Sequence, residues 1–284
     1  MSAKVWLITG CSSGFGAALV KEALSRGFAV IATARNPAKI TDLKDAGAAT
    51  LALDVTMPLP ELKKIAEEAF NIHGRIDYLI NNAGFSQVGG LEELTPEETQ
   101  AQFDTNVFGV LNVNRAFFPY LRKVRSGVVA NLSSVGAWRG YAGVGLYCAS
   151  KWCLSGLSES MTLEMKEFGI KVCCVEAGYF RSNFLVGKAK GDFQGRIADY
   201  DGSAVRKGEE LMDWYNGKQP GDTQKGAKVI VDTLTEANGK PVPHRLVIGK
   251  DCYESIKQKC EETLKLLEEQ KQISCSTDLD DTSY

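Results

Sequence analysis

Tyr147 and Lys151 stand four residues apart, a spacing that puts both side chains on one face of a helix. A phenol titrating at about 10 is by itself a poor acid or base at neutral pH. An ammonium one turn away favours the phenolate, so the pair suits a site that must give or take a proton. Upstream, Ser133 and Ser134 end an apolar run from Gly127 to Leu132, and a hydroxyl there could hold a substrate oxygen on which charge develops. Asn106 is a third unusual placement. Flanked by Val107, Phe108 and Gly109 inside a helical pattern, its amide is badly placed unless something uses it.

These groups need elements to carry them. The first thirty-five residues read as a strand Lys4 to Thr9, a turn from Gly10 to Gly16, a helix to about Arg26 and a second strand Phe28 to Ala34. Val5-Trp6-Leu7-Ile8 is apolar throughout, as a parallel strand buried on both faces must be. Gly10 permits the sharp turn, and Gly14 and Gly16 permit close approach and packing. The helix start offers free amides to a pyrophosphate, so the stretch is a dinucleotide cradle. Strands at Thr50 to Leu53, Asp77 to Ile80, Gly127 to Leu132, Ile170 to Val175 and Arg245 to Ile248 alternate with helical patterns. The fold class is therefore α/β, a Rossmann-type doubly wound parallel sheet of about seven strands with helices on both faces.

Carboxyl ends of such strands bind ligands, which draws in Asp54 and the turn Asn81-Asn82-Ala83-Gly84. Two amides and a glycine there could line a cofactor wall and tie adjacent strands together. Thr95-Pro96-Glu97-Glu98 supplies a cap, a first-turn proline and a glutamate three after the cap, so a long helix should run to about Arg122. A second long helix spans Val144 to Phe168, and its apolar residues with those of the first (Phe117, Phe118, Leu154, Leu157, Met161) are candidates for a subunit interface. From Gly178 to about Gly221 no periodicity is clear, and isolated aromatics including Phe184, Phe193 and Trp214 suggest a substrate lid. Residues 1–270 read as one catalytic domain and 271–284 as a polar tail.

The 284 residues carry a formal charge of −2, which offers no basic field to nucleic acid. No apolar stretch approaches membrane length, and the first strand follows Met1-Ser2-Ala3 directly, so a cytoplasmic protein without a secretory leader is expected. The eight cysteines lack metal-like spacing and several sit in apolar runs, as reduced buried thiols do. His73 and His244 are too few and isolated for a histidine metal site or a Ser/His/Asp hydrolase, and no metal is expected.

In its ordered features the chain resembles the short-chain dehydrogenase/reductase family, over nearly its whole length. Those features are Thr9-Gly10 with Gly14 and Gly16, Asp54, Asn81 to Gly84, Asn106, Ser134, Tyr147 with Lys151, and Gly178 to Ser182. The spacing from Ser134 to Tyr147 matches the family's active site and favours Ser134 over Ser133. The resemblance is to the hydroxysteroid and retinol dehydrogenase branch, with a C-terminal layout similar to fungal members. It implies that Tyr147 is the proton donor, that Ser134 holds the carbonyl oxygen, that Lys151 also binds the nicotinamide ribose, and that Asn106 holds a water linked to Lys151. It further implies cofactor contacts from Gly10, Ser12, Ser13, Gly14, Phe15, Gly16, Arg35, Asp54, Val55, Asn82, Ala83, Gly84, Tyr147, Lys151, Gly178, Phe180 and Ser182. The expected substrate pocket comprises Val88, Ser134, Trp138, Phe184 and Trp214. Two departures are mild: Ala177-Gly178 stands where Pro-Gly is frequent, and Ser182 where threonine is common.

The implied activity is NADPH-dependent reduction of a ketone on a bulky, apolar small molecule, steroid-like or from secondary metabolism, by a homodimer or homotetramer. NADP-dependent oxidation of an alcohol, a non-redox dehydration or cyclisation, and a catalytically silent nucleotide-binding protein remain open. NADP(H) is expected because the second strand ends in Ala34, not a carboxylate that would grip an unphosphorylated ribose, and Arg35 can pair with a 2′-phosphate. Replacing Arg35 with alanine should weaken NADPH binding by roughly 1.5 to 3 kcal/mol and leave NADH binding nearly unchanged. Equal affinity of the unsubstituted protein for the two cofactors, measured by titration calorimetry, would contradict this.

Overall fold

The computed structural model describes residues 3–186 and 196–279. Alternation along the first strand, β1 (Val5–Ile8), sends Trp6 and Ile8 into one apolar layer and Val5 and Leu7 into the other. Both faces are consequently covered. The remaining strands are β2 (Ala29–Ala34), β3 (Ala49–Ala52), β4 (Tyr78–Asn81), β5 (Gly127–Ser134), β6 (Ile170–Ala177) and β7 (Arg245–Ile248). They pair in parallel as one seven-stranded sheet in the order β3-β2-β1-β4-β5-β6-β7. The order reverses between β1 and β4, which opens a crevice at the carboxyl ends of those strands.

The helices among the described residues are α1 (Gly14–Ser25), α2 (Thr41–Asp45), α3 (Leu59–His73), α4 (Pro96–Phe103), α5 (Gly109–Val124), α6 (Gly145–Lys166), α7 (Ala204–Tyr215), α8 (Thr223–Leu234) and α9 (Lys250–Ser274). One layer joins Leu19 and Val20 of α1 to Ile230 and Val231 of α8. The other joins Leu62 of α3, Phe117 and Leu121 of α5 and Met161 of α6.

Three expectations change. The long helix from Pro96 is interrupted by a π-helical turn, Asp104–Phe108, that carries Asn106. Phe117, Phe118, Leu154 and Met161 are core residues and not interface candidates, and Leu157 packs against the same layer, since covering the sheet uses that face of each helix. Phe108, Val124, Trp152 and Leu163 are the large exposed apolar residues of this region. The segment expected to lack periodicity holds α7, capped by Ser203, whose hydroxyl accepts from the Val205 amide at 3.2 Å. Its buried face consists of Arg206, Glu209 and Met212. Two charges at helical spacing carry no hydrophobic signal, so the pattern was invisible to an apolar count. Phe193 lies outside the described residues, as do Asp280 and Asp281 of the tail, and α9 continues to Ser274.

The Thr95 capping box forms as its sequence specifies, with the Thr95 amide donating to Glu98 at 2.8 Å and the Glu98 amide to Thr95 at 3.2 Å. Gly109, just past the π turn, fixes how closely this helix meets the loop after β3. A Cβ there would stand 2.9 Å from Val55 Cγ2 and 3.0 Å from its carbonyl oxygen. Gly109→Ala should therefore cost about 1 to 3 kcal/mol through overpacking. A thermal melt that matches the unsubstituted protein would show that the contact yields without cost.

Candidate active site

Each functional group sits at an element end that the sequence sets up. Gly10 has φ +71°, and a Cβ on it would lie 2.8 Å from Ala83 Cα. On Gly16 a Cβ would overlap the Gly10 carbonyl oxygen and stand 2.6 Å from Asn82 Nδ2. Glycine at both positions lets the β1–α1 turn close against β4. Thr9 and Asn82 complete that junction. The Asn82 side chain donates to the carbonyls of Thr9 at 2.9 Å and Gly10 at 3.0 Å, and the Thr9 hydroxyl accepts from the amides of Asn82 and Ala83. Asn81 faces the other way, donating to Asn114 and Asn131 at 2.8 Å each, so the paired amides do tie neighbouring strands.

The crevice is a cavity of about 830 Å³. Of the expected cofactor contacts, Gly10, Ser12, Ser13, Gly14, Phe15, Arg35, Asp54, Val55, Asn82, Ala83, Gly84, Tyr147, Lys151, Gly178, Phe180 and Ser182 line it. Gly16 lies beneath the turn instead. Ser13 caps α1 with no side-chain bond, which leaves the first amides of that helix toward the cavity wall formed by Gly14 and Phe15. Free helix-start amides, a glycine cradle that a Cβ would fill, and a long cleft reaching Arg35 fit an adenine dinucleotide.

At the far end Ser134, Tyr147 and Lys151 converge. The Ser134 hydroxyl accepts from the Gly136 amide at 3.1 Å and stands beside the Tyr147 phenol, whose ionised form it favours. Ser133 is turned into the sheet, bonded to Ser155 at 2.9 Å, which leaves Ser134 as the free hydroxyl of the pair. Burial pushes the Tyr147 phenol up to about 12, against a lowering by Ser134. Burial pushes the Lys151 ammonium down to about 8. Lys151 Nζ donates to the Leu132 carbonyl at 2.6 Å and lies 5.7 Å from the centre of the Tyr147 ring.

Asn106 stands behind the wall, not on it. Its Nδ2 donates to the Phe85 carbonyl and to the Ser150 hydroxyl, both at 3.0 Å, and its Oδ1 accepts from the Phe85 amide at 3.1 Å. Ser150 in turn donates to the Tyr147 carbonyl at 2.7 Å. The π turn thus aims one amide at both the wall after β4 and Ser150 near the start of α6, and so ties that wall to the helix that carries Tyr147 and Lys151.

The expected substrate pocket needs correction at three positions. Val88 is buried beneath the site in a cluster with Val144, Cys148 and Met212. Trp138 faces Arg245, whose guanidinium lies 5.0 Å from its ring, away from the cavity. Trp214 is exposed and packs on Tyr215 and Lys218. Ser134 and Phe184 do line the cavity, and the Phe184 ring centre is 5.7 Å from that of Tyr147. The walls that the sequence did not disclose are Tyr141, Val144, Cys148, Tyr179, Leu185 and Met212. Tyr141, Val144 and Cys148 stand close to Tyr147 in the chain, Met212 belongs to the concealed helix α7, and Tyr179 and Leu185 fall in the stretch from Gly178 that was expected to form a lid. No cluster of potential metal ligands occurs among the described residues, and no helix among them is long and apolar enough to cross a membrane.

A parallel sheet with a dinucleotide crevice, ending in a convergent phenol, ammonium and hydroxyl, defines a nicotinamide-dependent oxidoreductase. The short chain dehydrogenase family profile matches residues 4–191. A 3-ketodihydrosphingosine reductase of Bacteroides thetaiotaomicron is 38% identical over 207 residues, 72% of this chain and 75% of that protein. An NADPH-dependent pterin aldehyde reductase of Arabidopsis thaliana is 35% identical over 190 residues, 65% of this chain and 78% of that protein. The crystal structure of a short-chain dehydrogenase from Streptomyces avermitilis superposes with a TM-score of 0.87 at 38% identity, covering 98% of this chain and 100% of that one. The chain belongs to the short-chain dehydrogenase/reductase family.

Burying Lys151 has a stability consequence with a definite sign. Its folded value, about 8, lies below the ordinary 10.5, so between those limits the unfolded chain binds the extra proton and stability rises with pH. Below about pH 8 the folded protein carries a buried charge at a cost. Lys151→Met should therefore melt higher than the unsubstituted cofactor-free protein at pH 7, by on the order of 2 kcal/mol. That advantage should shrink as pH rises from 8 to 10.5. Melting curves across that range check it, and a less stable Lys151→Met protein at pH 7 would refute it.

Proposed function

We infer that this chain reduces a ketone on a bulky, largely apolar small molecule to a secondary alcohol, with NADPH as the reductant. The observation that carries this reading is the placement of Ser134 and Tyr147 at the end of the cavity bounded by Phe184, Leu185, Val186, Val144 and Met212. Apolar walls of this kind favour a hydrocarbon-rich substrate, and no basic cluster among them asks for an anion. Arg35 on the wall after β2, with Ala34 in place of a carboxylate, supports NADP(H). The Bacteroides relative is named for a keto group and the Arabidopsis relative for NADPH dependence, which agree with this reading.

Held along Gly14, Arg35, Asn82 and Lys151, a bound nicotinamide cofactor would supply the hydride for the carbonyl carbon. Ser134, its oxygen already accepting from Gly136, has its own proton free for the carbonyl oxygen. Tyr147, protonated across the neutral range, delivers the proton as charge develops on that oxygen. Lys151, anchored on Leu132, lowers the cost of the resulting phenolate. Asn106, through Ser150, holds the helix that carries both groups. Assembly as a homodimer or homotetramer through the helices bearing Phe108, Trp152 and Leu163 completes the reading, in keeping with a family that is commonly oligomeric.

Tyr147→Phe should keep its fold and NADPH affinity while single-turnover hydride transfer to a ketone falls at least about 100-fold. An unchanged rate constant would remove Tyr147 as the acid and point to substrate-assisted protonation.

A further inference from the structure

Helix α7 forms one side of the substrate end, and charge docks it where an apolar seam would be expected. Arg206 is only 4% exposed and Glu93, on the loop after β4, 8%. Arg206 makes two bonds to the Glu93 carboxylate, one of them at 2.8 Å, and donates to Glu209 at 2.9 Å and to the Ile197 carbonyl at 3.2 Å. Glu93 also accepts from the amides of Ile197 at 2.9 Å and Gly90 at 3.2 Å. Both partners are thus fully engaged, as a buried pair must be to hold its place.

The backbones meet closely beside this pair. A Cβ on Gly143 would lie 3.2 Å from the Val205 carbonyl, and one on Gly208 would overlap that of Ala142. Gly143 is two residues before α6 begins, so α7 rests on the segment leading into the helix of Tyr147 and Lys151. On the same buried face as Arg206, Met212 enters a cluster with Val144 and Cys148 against which Tyr147 and Tyr179 pack.

We propose that Arg206 is a positioning residue of the substrate site: through Glu93 it fixes α7, and with it the Met212 wall beside Tyr147, and so sets affinity for a bulky ketone without entering hydride transfer. The affinity part rests on the ketoreductase reading above. The docking of α7 does not, and the test separates them.

Cys148, 2% exposed beneath Met212, reports the wall directly. In Arg206→Met, and in Arg206→Met/Glu93→Gln, which leaves no lone Glu93 charge, iodoacetamide should alkylate Cys148 at least about 10-fold faster well below the melting temperature. Cys173 and Cys174, inside β6, should stay unlabelled, which distinguishes local release from unfolding. With 2-decalone and NADPH, KM should rise about 10-fold with kcat within about 3-fold, while KM for cyclohexanone and the Kd of NADPH hold. Arg206→Lys, which keeps the charge, should fall between. Met212→Ala, which leaves the ion pair intact, should reproduce the KM effect and the Cys148 exposure, and serves if the charge variants do not fold. Folded Arg206 variants with unchanged Cys148 labelling and unchanged KM would overturn the proposal, as would a Met212→Ala protein unchanged in both. If the unsubstituted protein reduces no ketone, the functional reading fails, and Cys148 labelling alone decides whether Arg206 fixes the wall.

Discussion

A buried ammonium is the constraint to which the active end of this molecule answers. Lys151 is 5% exposed, and the protein group it donates to is the Leu132 carbonyl. Taking a cation from water to such a place is costly unless its protons find acceptors, and burial accordingly draws its titration down to about 8. A core built only for stability would not keep it. What the charge contributes is local: it stands one helical turn from a phenol that burial, above all, drives the opposite way, to about 12. The two groups oppose each other's desolvation cost, since ionisation of the phenol would supply the lysine with a counter-charge.

Placing that pair takes a long-range scaffold. β5 brings Ser134 and the Leu132 carbonyl to the crevice in register with β6, where Ser134 lies opposite Ala177. On the other side, the wall after β4 must come close without filling the space. A Cβ at Gly84 would lie 3.1 Å from Asn106 Oδ1 and 3.6 Å from Lys151 Nζ, so the missing side chain lets amide and ammonium approach one another. The π turn turns the Asn106 side chain toward this junction, and its bond to Ser150 links the wall to α6. An irregular turn inside a helix is a cost that a functional position can justify.

Much of this was legible in the chain because the relevant signals are local. The apolar run Val5 to Ile8 and the glycines at 10, 14 and 16 announce a buried strand and its turn, and Tyr147 and Lys151 share a helix face by spacing alone. Asn106 announced an irregularity through its misfit among apolar neighbours, though not that the irregularity would be π-helical. The substrate end was less legible. Trp138 and Trp214 are large and near strand ends or in the expected lid, yet one serves as a platform for Arg245 and the other faces solvent. Their destinations depend on contacts distant in sequence. Helix α7 escaped notice because two of the three residues it buries, Arg206 and Glu209, are charged, and Glu93, the partner of Arg206, lies 113 residues away from it. A pattern of apolar residues cannot register a helix docked by ion pairs.

On this reading, Lys151 and a cationic nicotinamide together make the buried phenol of Tyr147 an accessible acid and base. Carbon-13 NMR of protein labelled at tyrosine Cζ, assigned by comparison with Tyr147→Phe, follows its ionisation directly. Without cofactor the phenol should titrate at about 12. With NADP⁺ bound, the midpoint should fall below about 10, and the fall should be largely lost in Lys151→Met. A midpoint unmoved by NADP⁺, or moved equally without Lys151, would contradict the account.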